Sequence, residues 1–151
     1  MKRFQFSLET VLDYKQQVLS ALQTEHAQAL AQLRAQEEVL HGLETQYQQT
    51  DTQFSRQKME GIAIGAALGY ERYLRVMEHK IQEELRQLER LKRQEEDKRS
   101  QVVVARQDTS SLEKLREKKL DSYNKAVQKS EEAMIDEMVS AARVMASSAL
   151  C

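Results

Sequence analysis

The sequence predicts an all-α fold, a long antiparallel two-helix coiled-coil hairpin with the second helix longer than the first. Composition is the first reason. The 151 residues include no proline, four glycines and 5% aromatics, against 31% charged side chains. That is the profile of long helices with a narrow apolar seam, whereas a globule of this length needs frequent turns. Periodicity is the second reason. One stripe steps by three and four through Leu8, Leu12, Lys15, Leu19, Leu22, His26, Ala29, Leu33, Gln36, Leu40, Leu43, Tyr47, Thr50 and Phe54. Another climbs through Tyr70, Leu74, Met77, Ile81, Glu84, Leu88, Leu91, Glu95, Lys98, Val102, Ala105, Thr109, Leu112 and Arg116. The third reason is that the stripes mirror each other. A fold near residue 62 sets Phe54 opposite Tyr70, Leu8 opposite Arg116, and every step between them opposite a step.

Each element follows in order. Phe4, Phe6 and Leu8 alternate before helical spacing begins, and Ser7 is a plausible N-cap because its hydroxyl can accept a first-turn N–H. Helix one then runs from about residue 7 to 58, roughly 75 Å at the α-helical rise. Gly42 lies inside it, off the seam, as a tolerated surface glycine. The turn falls at about 59–66, with Gly61 as the left-handed residue that ends the helix. Gly61, Gly65 and Gly69 share one spacing of four. They make either a smooth face for another backbone or, as the favoured reading, a turn followed by a loosely packed helix start. Helix two runs from about 67 to 146, roughly 120 Å if unbroken.

Polar residues interrupt the seam. In this register Lys98 faces His26 and Glu84 faces Leu40, with long stems lying along the partner and heads reaching water. Such layers can fix register at a cost in stability. Beyond Arg116 the first helix has nothing left to pair except the Phe4–Phe6 segment. The apolar positions nevertheless continue through Leu120, Tyr123, Val127, Met134, Met138, Ala142 and Met145. This overhang reads either as a frayed tail or, as the continuous stripe favours, as a helix face awaiting a partner. Methionine suits such a face because it adapts to varied surfaces.

Several functions are excluded. The net charge is −1 with interspersed signs, so there is no basic surplus for nucleic acid beyond a local run from Lys114 to Lys119. Pairs such as Glu89–Arg93 and Glu95–Arg99 read as solvated helix faces. The single cysteine, Cys151, is compatible with a reducing compartment. No signal peptide or membrane-length apolar run occurs, so a soluble cytoplasmic protein without direct membrane insertion is expected. His26, His41 and His79 are too dispersed for a metal site, and His26 reads as a seam polar layer. Adjacent carboxylates such as Glu37-Glu38 diverge around the helix and make no acid–base pair. No enzyme, cofactor or metal is expected.

Three blocks in order resemble the flagellar export protein FliJ family. They are Phe4-Gln5-Phe6-Ser7-Leu8 with Val11-Leu12, and Gly61-Ile62-Ala63 with Tyr70-Glu71-Arg72-Tyr73-Leu74. The third is Leu112-Glu113-Lys114-Leu115-Arg116-Glu117-Lys118-Lys119 with Tyr123 and then Asp136-Glu137. The resemblance implies a non-enzymatic component of the flagellar type III export apparatus, peripheral at the cytoplasmic face of the inner membrane when assembled. It implies a shaft whose termini-bearing end enters the ring of the export ATPase FliI, contacts with the export gate protein FlhA, and recycling of export chaperones. The family's gate-contacting pattern falls here on Tyr73, Met77, Lys80 and Glu84. Lys80 and Glu84 depart from its small and polar-ring residues. For the ATPase end the matching block implies Leu115, Lys118, Lys119 and Tyr123, to which the stripe adds Leu120 and Val127. A stalk protein of an injectisome and a self-associating structural coiled coil are the alternatives.

Overall fold

The computed structural model describes residues 2–150; the Cys151 thiol lies outside them. Two helices make up the fold, α1 over Glu9–Glu60 and α2 over Ile64–Ala149. They pack antiparallel as a helical hairpin with the longer helix second, as the mirrored stripes predict. The connection, however, is only Gly61-Ile62-Ala63, tighter than the 59–66 predicted.

The ends of the helices have local causes. Gly61 has φ +95°, a conformation that costs an L side chain dearly and ends α1 at once. Ala63 caps α2, its carbonyl accepting the Ala67 N–H at 3.0 Å. At the start of α1 the cap position is Leu8 and not Ser7. The Leu8 carbonyl accepts the Leu12 N–H at 2.8 Å, and the Phe6 carbonyl accepts the Glu9 N–H at 3.1 Å. The turn through Ser7 and Leu8 brings Phe6 inward to a buried position, which shifts the helix start past the serine. Glu9 in the first turn of α1 and Lys58 in the last both suit the helix dipole.

Contacts divide the chain into two units, residues 20–104 and residues 1–19 with 105–151. Within the first, Phe54 stacks on Tyr70 with ring centroids 5.0 Å apart, and the Lys58 ammonium caps the Phe54 ring at 3.9 Å. Leu33, Leu40, Leu88 and Leu91 form the apolar cluster, with Ile81 against it. Each leucine so buried contributes about 1.5–3 kcal/mol. Within the second, the Thr109 hydroxyl donates to the Ala105 carbonyl at 2.8 Å and to the Lys15 carbonyl at 3.4 Å. Arg116 pairs with Glu9 at 2.9 Å. Every residue of both predicted stripes is buried or half-buried.

Within the predicted register, the polar side chains bond to neighbours of the positions they face. His26 meets Glu95 at 2.9 Å, while Lys98 reaches Glu25 at 2.8 Å. The Gln36 amide donates to the Glu84 carboxylate and to the Glu84 carbonyl, so Leu40 stays in the apolar cluster. Glu95 and Arg99 pair at 2.8 Å, whereas Glu89–Arg93 makes no ion pair among the described residues. His79 meets Glu83 on its own helix at 3.1 Å and no partner from α1. No backbone or side chain approaches the Cβ positions of Gly42, Gly65 or Gly69 within 4 Å. The glycines therefore mark a turn and a loose helix start, not a contact face within this chain.

Candidate interaction surface

In the unit built from residues 1–19 and 105–151, burial along α2 falls off in steps. Leu112 and Arg116 are half-buried against α1. Leu120, Tyr123 and Val127 remain half-buried, and from Gln128 to Leu150 every residue is exposed. The fully uncovered stretch therefore begins at Gln128. The cause is the segment ahead of α1, which lies on α2 where the helix itself has ended. Phe4 packs on Tyr123 with centroids 5.5 Å apart, and the Tyr123 hydroxyl donates to the Lys2 carbonyl at 2.6 Å.

The exposed stretch stays helical to Ala149 and leaves its large apolar side chains uncovered. Met134, Ile135, Met138, Val139, Val144 and Met145 are 45–73% exposed. Ile135 and Val139 widen the predicted stripe, and the same three-and-four spacing marks them in the sequence. A single amphipathic helix with such a face gains little from propensity alone and is stabilised chiefly by burial against something else. Beside it, Leu115 is 37% exposed and Lys118 and Lys119 are exposed. A shallow groove here is lined by Lys114, Glu117, Lys118, Leu120, Asp121 and Asn124.

The other predicted cluster is divided by the seam. Tyr73 and Lys80 are exposed, but Met77 is buried at 3% exposure and Glu84 is half-buried under the Gln36 amide. The four do not form one outward face, because Met77 and Glu84 are seam positions and the other two are not. At the turn, Met59, Ile64 and Leu68 stand exposed on a tip that the seam count does not single out.

Electrostatics reinforce the seam more than they suggest chemistry. The Glu95 carboxyl is held below the usual carboxylate range, first by the His26 hydrogen bond and then by Arg99. The Tyr47 phenol is pushed up by its 2.7 Å bond to Glu78, which it donates, and Lys98 is pushed up by Glu25. Among the described residues no three His, Cys, Asp or Glu side chains stand together to hold a metal ion. Among the described residues no helix is long and apolar enough to cross a membrane.

A paired coiled coil that continues into an uncovered amphipathic helix defines a class of long helical-hairpin proteins. The family model described as flagellar FliJ protein matches residues 4–147. The chain belongs to the flagellar FliJ family. Membership makes it a non-enzymatic component related to flagellar protein export. No curated protein and no solved structure matches the chain.

Proposed function

We propose that this protein is the shaft-like adaptor of the flagellar type III export machinery. The end of the hairpin that carries residues 128–150 enters the central hole of the FliI ring, favours its assembly and raises its turnover. The observation that carries this is the helical, methionine-bearing apolar face left exposed beyond Val127. Leu115, Lys118 and Lys119 flank that face as further ring contacts. Leu120, Tyr123 and Val127 form its half-covered base. The protein works in the cytoplasm, at the inner membrane's cytoplasmic face when assembled, and recycles export chaperones. The match to a flagellar family favours this system over an injectisome stalk.

The same adaptor contacts the gate protein FlhA through the outer surface that carries Tyr73 and Lys80. Met77 and Glu84 serve there from beneath, by setting the register of the helix that presents them. The deciding experiment measures FliI ATPase rate and ring assembly with the full chain and with the chain ended after Val127. We expect stimulation by the full chain and none by the shortened one. Full stimulation by the shortened chain would remove the exposed face from the mechanism. Self-association is checked in parallel by sedimentation, where a monomer at all concentrations leaves the face free for FliI.

A further inference from the structure

Lys2–Phe6 belong to neither helix, yet they rest on α2. Their hold is narrow. Phe4 lies against Tyr123 at 5.5 Å between centroids and against the Arg116 guanidinium at 5.8 Å. The Lys2 carbonyl accepts the Tyr123 hydroxyl at 2.6 Å. Phe6, by contrast, is buried, and its carbonyl is bonded to the first N–H of α1. The segment thus has a fixed end at Phe6 and a lightly held end at Lys2 and Phe4.

What the lightly held end covers is part of a longer stripe. Leu120, Tyr123, Val127, Met134, Met138 and Met145 lie within an arc of about 60° at 3.6 residues per turn. The first three are half-covered and the last three are open, although the helix runs unchanged through both halves. The geometry points to a strap: residues 2–5 close the base of the docking stripe, and the ring's binding surface, once seated on Met134 to Met145, extends toward Tyr123 by displacing Phe4. This rests on the reading of the stripe as the FliI-docking face.

Opening is physically accessible. Among the described residues it breaks an aromatic contact, a cation–π contact and a hydrogen bond. It also returns backbone freedom to the released residues, which offsets part of that loss. A partner that covers Tyr123 in place of Phe4 regains the apolar burial. The strap would then delay full engagement until the open half of the stripe is occupied, and keep the tyrosine covered in the free protein.

Two measurements on the full chain test the strap separately from FliI docking. The first uses no partner: tyrosines are nitrated with tetranitromethane and quantified by mass spectrometry. With Phe4→Ala we expect Tyr123 to react about tenfold faster, the factor for losing one well-placed aromatic contact. Tyr70, stacked on Phe54, should keep its rate. An unchanged Tyr123 rate overturns the proposal. The second measures FliI binding. Phe4→Ala should tighten it and Tyr123→Ala weaken it; weakening by Phe4→Ala would make the segment part of the docking surface and overturn displacement. If neither wild type nor Phe4→Ala binds FliI while the nitration response persists, ring docking fails and the cover over Tyr123 stands.

Discussion

The paired stretch, residues 20–104, and the uncovered stretch, residues 128–149, distribute polarity in opposite ways. The first places Glu95, Glu84, His26, Gln36 and Lys98 on its seam and still buries or half-buries them. The second presents methionine, isoleucine and valine and buries none of them. Polarity of the sequence therefore does not decide burial here; the presence of an opposing helix does. Where a partner exists, acids and bases are tolerated because they bond across the seam. Where none exists within the chain, apolar side chains persist in water, which is unfavourable for an isolated helix and intelligible for a docking face.

The sharpest way to break this contrast is to remove the second region. Ending the chain after Val127 should leave helix content per remaining residue and the thermal midpoint of the hairpin unchanged by circular dichroism, while FliI stimulation disappears. A falling midpoint would mean that residues 128–150 pack on their own chain. The next largest effect compares single residues. Leu33→Ala, inside the apolar cluster, should cost about 2–4 kcal/mol in urea unfolding through lost burial and a cavity. Met138→Ala should change stability by less than about 0.5 kcal/mol but weaken FliI binding. Equal costs would erase the distinction between seam and face.

The sequence disclosed more of the first region than of the second. Steps of three and four mark which side chains turn inward, and Gly61 marks where the chain reverses, because both are local properties of an α-helix. The Phe54–Tyr70 stack followed from those two facts alone. Partners of long polar side chains did not follow. Glu95 can reach several positions on the facing helix, and only coordinates choose His26 over others. The alternation of Phe4 and Phe6 marked that segment as what was left to pair beyond Arg116, but a non-helical segment has no helical register, so the particular contact with Tyr123 did not follow. For Tyr73, Met77, Lys80 and Glu84 the stripe itself already placed Met77 and Glu84 on the seam, so the sequence showed that these four could not share one fully exposed face.

Glycines sharpen the comparison at a smaller scale. Gly42 sits mid-helix with open space around its missing Cβ, so Gly42→Ala should stabilise by about 0.5–1 kcal/mol through helix propensity. Gly61 also has open space, but its φ of +95° is one that alanine resists. Gly61→Ala should destabilise by about 1 kcal/mol or more. Urea melts of the two variants should move in opposite directions, and a shared direction would show that crowding and not backbone conformation governs both sites.

The smallest effect concerns the polar layer at Glu95. His26 and, next, Arg99 hold its carboxyl below the ordinary value of 4.5. As pH falls, the unfolded chain therefore takes up this proton before the folded chain does. The contribution of Glu95 is fully present above the unfolded carboxyl's pKa and is lost as pH falls from there through the folded value. Glu95→Gln removes the charge and keeps the shape, so the stability gap between wild type and variant should hold at neutral pH and narrow only below about pH 4.5. A gap that closes well above the carboxylate range would show that the Glu95 carboxyl is not the group responsible.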